Sequence, residues 1–225
     1  MQKPLSRVFI LVLIAGIAMS ASASKKDEEI ANTYYKNAIE LAATARLEEV
    51  FNLYARSAEL GNPIAQYNLA MMYSNGESVY VDYQQAVYWF RKSAGQKFAP
   101  AQYRLGELYY FEKGGLERDL QKAIELFNLA AKQGDADAQM NLAMMCGTGE
   151  GLPLDKEQAL SWILRARMGG NPIAHDYQKM LNASADGKFS ASQQRLYWLE
   201  KAAELGIREA QQALQDMYQG ENPDD

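Results

Sequence analysis

Cysteine and histidine are almost absent. The chain of 225 residues has one cysteine, Cys146, and one histidine, His175. A single cysteine forms no internal disulfide, which excludes a disulfide-stapled secreted scaffold. A structural zinc site usually takes four nitrogen or sulfur ligands, and two candidates do not supply them. No metal and no cofactor are expected. A basic surplus is missing too, with 23 Lys and Arg against 28 Asp and Glu. Nucleic-acid binding leaves a basic footprint, so nucleic acid is not an expected partner. No alternating strand pattern stands out. At 48% hydrophobic and 23% charged residues, the chain has the composition of a folded domain and not of a disordered one.

One apolar run stands near the start. Lys3 and Arg7 lead into residues 8–19, a run short of the roughly 20 residues that a membrane helix needs. Small residues follow, Ser20-Ala21-Ser22-Ala23-Ser24, with Ala21-x-Ala23 as a cleavage signature. The pattern reads as a signal peptide over residues 1–23, cleaved after Ala23. It predicts export to a bacterial periplasm or the cell exterior. No later stretch is apolar for long enough to span a bilayer, so no stable membrane insertion is expected after cleavage.

Repetition dominates the remainder. Ala65-Gln-Tyr-Asn-Leu-Ala-Met-Met-Tyr73, Ala101-Gln-Tyr-Arg-Leu-Gly-Glu-Leu-Tyr109 and Ala138-Gln-Met-Asn-Leu-Ala-Met-Met-Cys146 lie 36 and 37 residues apart, and the series continues at Ala174 and Ala210. In phase with it, Asp82, Asp119, Asp155 and Ser190 each open a second helical pattern. Their side-chain oxygens suit the helix N-cap. Gln85, Gln158 and Gln193 follow three of them at the spacing of a capping box. Asn62-Pro63 and Asn171-Pro172 mark starts of first helices. Gly61, Gly134, Gly170 and Gly206 mark the preceding stops, with Lys97 in place of glycine in one unit. Each unit is therefore helix–loop–helix. One such hairpin cannot bury its apolar face alone, but a stack of them can.

These residues resemble the Sel1-like repeat family, a branch of the tetratricopeptide-like solenoids. The likeness rests on Ala65-Gln-Tyr-Asn-Leu-Ala-x-x-Tyr73 with Gly76, on Ala101-Gln-Tyr-x-Leu-Gly106-x-x-Tyr109, and on Ala86–Trp89, Ala123–Phe127 and Ala159–Trp162 of the second helices. It implies an all-α, right-handed α-solenoid as a single domain over 24–225. The units expected are 27–60, 61–96, 97–133, 134–169 and 170–205, with a C-terminal helix over 206–220. Residues 171–189 fit the pattern poorly, and residues 27–60 blur its first helix.

Few residues suggest chemistry. Cys146 takes the place of Tyr73 and Tyr109 and reads as a buried hydrophobe. His175 reads as a surface residue. Gly147-x-Gly149-x-Gly151 lacks the strand and the Lys-Ser/Thr ending of a phosphate loop and reads as a connection between helices. If Ala65, Leu69 and Tyr73 face the core, then Tyr67, Asn68 and Met71 lie roughly 200–300° away around the helix. Their equivalents are Tyr103, Arg104 and Glu107, then Met140, Asn141 and Met144. This row is expected to line a concave groove that binds a protein or peptide, since Tyr, Met and Arg are enriched in interfaces.

The resemblance thus implies a non-catalytic adaptor. It also allows an alternative, an exported β-lactam-binding or β-lactamase-like hydrolase. Ser22-x-x-Lys25 has the nucleophile spacing, but it straddles the cleavage site, and Ser-Asp-Asn and Lys-Thr-Gly are both missing from the sequence.

Overall fold

The computed structural model describes residues 7–42 and 46–184, with scattered helical residues between 196 and 218; side chains are described from Ser24 onward, those of 180, 183 and 184 excepted. Every regular element among the described residues is an α-helix: α1 Arg7–Ala42, α2 Leu47–Glu59, α3 Pro63–Asn75, α4 Tyr83–Gly95, α5 Ala99–Tyr110, α6 Leu120–Lys132, α7 Ala136–Thr148, α8 Lys156–Met168 and α9 Ala174–Ser184. These residues fall into two compact units, one ending at Ser93 and one beginning at Ala94.

The hairpins close in one recurring way. The N–H of Asp82 donates to the carbonyl of Tyr73 at 2.9 Å, that of Asp119 to Tyr109 at 3.1 Å, and that of Asp155 to Cys146 at 2.9 Å. The same aspartates cap the helices they precede: their carboxylates accept from the N–H groups of Gln85, Lys122 and Gln158 at 2.9–3.0 Å. Only half of the expected capping box forms. The aspartate N–H that a glutamine side chain would accept is already committed to the hairpin carbonyl.

In the first unit α1 and α2 form the helical pair that the sequence blurs. Ala31 and Ala38 of α1 are buried, and the Ser57 hydroxyl donates to the Ala31 carbonyl at 2.7 Å. The Tyr35 and Tyr54 rings lie 6.1 Å apart. α3 starts at Pro63, with the Asn62 side chain accepting from Ile64 and Ala65. Its Tyr67 ring sits 5.8 Å from Phe90 of α4.

In the second unit α5 packs on α6, α6 on α7, α7 on α8 and α8 on α9. The alanines at the head of the repeat, Ala65, Ala101, Ala138 and Ala174, are all fully buried. A methyl-sized side chain there lets the facing helix approach closely. Gly106 is a tighter case: a Cβ built on it would lie 2.7 Å from the Phe127 ring. Leu69, Leu105 and Leu142 are buried as expected.

The glutamine after each of three head alanines has a role that spacing alone does not reveal. Gln66, Gln102 and Gln139 donate to the carbonyls of Ala58, Ala94 and Ala131, eight residues earlier in each case. Each of these helix-end carbonyls also accepts the backbone N–H three residues on, of Gly61, Lys97 or Gly134, so the glutamine adds a second bond there. Gly61 and Gly134 take the left-handed conformation that ends the preceding helix, and Lys97 adopts it without being glycine, at φ 65°.

One start differs from expectation. After Asn171-Pro172 the helix begins at Ala174, two residues later than α3 begins after Asn62. The expected cap at Ser190, the stop at Gly206 and the continuity of the C-terminal helix lie outside the described residues.

Candidate functional site

The first helices α3, α5 and α7 carry the expected row, and the structure separates its members. In α7 every residue from Ala138 to Gly147 is buried except Asn141. Met140 is 2% exposed and Met144 5%. Both belong to an apolar cluster with Ile163 of α8 and with Tyr177 and Leu181 of α9. Tyr103 is buried against Phe127, with ring centroids 5.9 Å apart. Glu107 is buried as well.

The expected outward direction therefore fails for Tyr103, Glu107, Met140 and Met144. A first helix in a stack meets the second helix of its own pair and the helices of adjacent pairs, so the arc opposite its core residue is largely covered. The half-exposed members are Tyr67, Asn68 and Met71 in the first unit and, in the second unit, a narrow strip of Arg104 and Asn141.

Behind the strip of the second unit lies a polar network. The Tyr103 hydroxyl donates to Glu107 Oε1 at 2.6 Å. Arg104 donates to Glu107 Oε2 at 2.8 Å and stacks 5.5 Å from the Tyr103 ring. The Asn141 amide reaches the Tyr103 oxygen at 3.4 Å. Burial pushes the Tyr103 phenol well above its usual range, and the Glu107 charge adds to the shift. Glu107 stands where α3 has Met71 and α7 has Met144. α5 thus offers a braced guanidinium where α3 and α7 offer amides. At the edge of the network Asp135 caps α7 through the Ala138 N–H at 2.8 Å. Its carboxyl is raised by burial. Asp137 accepts from the Asn171 amide at 2.8 Å.

Cys146 is buried, as its sequence position implies. Its thiol donates to Gln158 Oε1 at 3.0 Å and is pushed up to about 11 by burial, with the nearby Asp155 adding to the shift. His175 is exposed. The Gly149–Gly151 segment is a turn between α7 and α8, both glycines having positive φ.

Comparison with known proteins converges on one family. The Sel1 repeat model matches residues 63–98, 99–135, 136–171 and 196–207. The matched segments skip most of the stretch that fits the repeat poorly. A Sel1 repeat protein from Oxalobacter formigenes has a similar solved structure, with a TM-score of 0.60 and 27% identity over 87% of this chain and 78% of that one. A protective antigen of uropathogenic Escherichia coli displaying the same repeat fold gives a TM-score of 0.56 at 25% identity, covering 84% of this chain and 47% of that one.

Among sequence relatives, the ERAD-associated E3 ubiquitin-protein ligase component HRD3B of Arabidopsis thaliana is 33% identical over 52% of this chain and 21% of its own length. An exopolysaccharide production negative regulator of Rhizobium leguminosarum bv. viciae is 31% identical over 56% of this chain and 52% of its own length. The chain thus spans about a fifth to a half of these relatives. Sel1 repeat proteins are typically non-catalytic adaptors that bind other proteins. With more than half of its residues matched by the family model, and the same helical pairs in the fold, the chain belongs to the Sel1 repeat family.

Proposed function

We propose that the chain is a non-catalytic adaptor that holds a protein or peptide partner on the half-exposed residues of its first helices. We further propose that it works in the bacterial periplasm or outside the cell, after removal of residues 1–23 at Ala23. The carrying observation is that one repeat position keeps a polar, half-exposed side chain in α3, α5 and α7, as Asn68, Arg104 and Asn141, while α9 has the buried Tyr177 there. Amide and guanidinium groups donate hydrogen bonds to the backbone carbonyls of a bound segment. In the first unit Tyr67 and Met71 flank that position and supply contact area of the kind enriched in interfaces.

The export proposal is supported by the charged, apolar and small-residue order of residues 3–24. Mass spectrometry of the exported protein should give a mature start at Ser24; an intact Met1 start counts against it. The binding proposal is tested by photo-crosslinking in the native envelope, with benzoylphenylalanine placed singly at positions 68, 104 and 141. A discrete adduct at position 68, and one common to positions 104 and 141, each absent with the same probe at the exposed second-helix positions Glu125 and Glu157, supports binding at these residues. Equal labelling from Glu125 and Glu157 rejects it.

A further inference from the structure

The Gly149-Glu150-Gly151 turn has no part in the strip, yet it is built with care. Gly149 and Gly151 have φ of 75° and 72°. A Cβ on Gly151 would lie 3.0 Å from the Ile124 side chain and 3.2 Å from Met145. Two glycines in this conformation turn the chain tightly over α6 and carry Glu150 to the preceding hairpin. There its carboxylate is held at both oxygens. The Tyr110 hydroxyl donates to Oε2 at 2.7 Å, and the Arg118 guanidinium pairs with Oε1. Arg118 is itself fixed: its Nε donates to the Tyr110 carbonyl at 3.2 Å, and its guanidinium lies 5.5 Å from the Tyr110 ring. Gln121 adds a longer bond of 3.4 Å to the Gly151 carbonyl.

The Glu150 side chain is 19% exposed and that of Arg118 41%, so the pair is only partly shielded from screening by salt. It also joins residues 32 apart in sequence. Arg46–Glu49, Arg104–Glu107, Lys122–Asp119 and Lys179–Asp176 each join residues three apart and so brace single segments.

We propose that Tyr110, Arg118 and Glu150 form a latch that sets the spacing between the hairpins α5–α6 and α7–α8, with Glu150 as a positioning residue for the open strip. Tyr110 is the last residue of α5, and Glu150 follows the last residue of α7 by two. The latch therefore ties the ends of the two helices that carry Arg104 and Asn141. In a repeat protein each unit contacts its neighbours alone, so this tie, together with the α6–α7 packing and the Asn141–Tyr103 contact, sets the local width of the strip. The inference rests on the proposed binding strip for its consequence, and on the geometry alone for the latch.

The experiment has two arms in the full chain. In the first, spin labels at the exposed loop positions Glu117→Cys and Leu154→Cys report the distance between hairpins; Cys146 is fully buried and takes no label. The expected distribution is narrow. It broadens or shifts by about 2 Å or more, the scale of helix shifts at interfaces, with Glu150→Gln and in 1 M salt. Tyr110→Phe, which keeps the ion pair, gives an intermediate change and serves if Glu150→Gln fails to fold. An unchanged distribution in both variants and in salt overturns the latch.

The second arm compares crosslinking yield at position 141 with that at position 68, which lies in the other unit. Glu150→Gln should lower the yield at 141 several-fold and leave that at 68 unchanged. A joint fall at both positions overturns the positioning role, since loss of stability explains it. If the parent chain gives no adduct at either position, the binding strip fails, and the distance arm still decides the latch.

Discussion

α3 and α7 are almost the same peptide. Ala65-Gln-Tyr-Asn-Leu-Ala-Met-Met72 differs from Ala138-Gln-Met-Asn-Leu-Ala-Met-Met145 at one position. Their surroundings nevertheless differ. Tyr67 and Met71 are half-exposed, whereas the equivalent Met140 and Met144 are buried. The head alanine and the leucine are buried in both helices. The local pattern thus decides which side of the helix faces its own hairpin. Burial of the flanks depends on what stacks alongside, and at α7 that includes Tyr177 and Leu181 of α9.

The largest test of this comparison concerns the side that α3 and α7 share. Leu142→Asp puts a carboxylate at a site 1% exposed, where it costs several kcal/mol or stays protonated. The variant should lose the helices of the second unit first. Hydrogen exchange should show α5–α8 amides unprotected while α2 and α3 amides keep more protection. Leu69→Asp should reverse that order. Unchanged melting for both would mean that the core side is misassigned.

A second test concerns the flanks, where the two helices part. Met144→Ala removes a buried side chain and should cost about 2–5 kcal/mol. Met71→Ala, at a half-exposed site, should cost well under half as much. Urea denaturation of the two variants checks the difference. Equal costs would show that the exposure difference carries no energy.

A third test adds α5. Its Arg104 looks dispensable from sequence, since exposed arginines usually are. The structure corrects that expectation. Arg104 braces the buried Glu107 carboxylate at 2.8 Å, so Arg104→Ala leaves a buried charge with one partner fewer, a loss of about 1–3 kcal/mol. The double change Arg104→Asn with Glu107→Met gives α5 the residues of α7 at both positions and should recover most of that stability. If Arg104→Ala alone melts like the parent chain, the ion pair contributes nothing.

These cases also mark what could be read from the sequence. The helical pairs, their caps at Asp82, Asp119 and Asp155, the buried alanines and the buried Cys146 follow from spacing and residue chemistry. Partial exposure was legible at Tyr67, Asn68, Met71, Arg104 and Asn141. It was overdrawn at Tyr103, Glu107, Met140 and Met144, because a helical wheel shows one helix and not its lateral neighbours. The carbonyl clamps of Gln66, Gln102 and Gln139 were visible as a recurring Ala-Gln pair. Assigning them required the helix end eight residues earlier to be in place. The Glu150 contacts join residues 32 and 40 apart, and no local periodicity encodes them.

The smallest effect, and the one with an unusual sign, is at Tyr177. Its ring is 2% exposed, and its hydroxyl is a buried polar atom with no hydrogen-bond partner. Leaving such a group unsatisfied costs about 1–3 kcal/mol. Tyr177→Phe removes it without opening a cavity and should stabilise the chain by about 1 kcal/mol or less, a rise in Tm of about 2–4 °C at most for a chain this long. The pH dependence gives a second signature. Burial raises the Tyr177 phenol above its usual 10.0, with smaller contributions from Cys146 and Tyr110. A group raised in the folded state favours folding below its unfolded value and loses that contribution as pH climbs past it. The parent chain should therefore weaken from about pH 10 upward, and the advantage of Tyr177→Phe should widen there. Gly147 supplies the steric counterpart: a Cβ on it would lie 2.6 Å from the Tyr177 oxygen. Gly147→Ala should destabilise the parent chain and cost less once that oxygen is gone. If the two substitutions add without coupling, the hydroxyl does not press on α7 and the expected gain from Tyr177→Phe loses its basis.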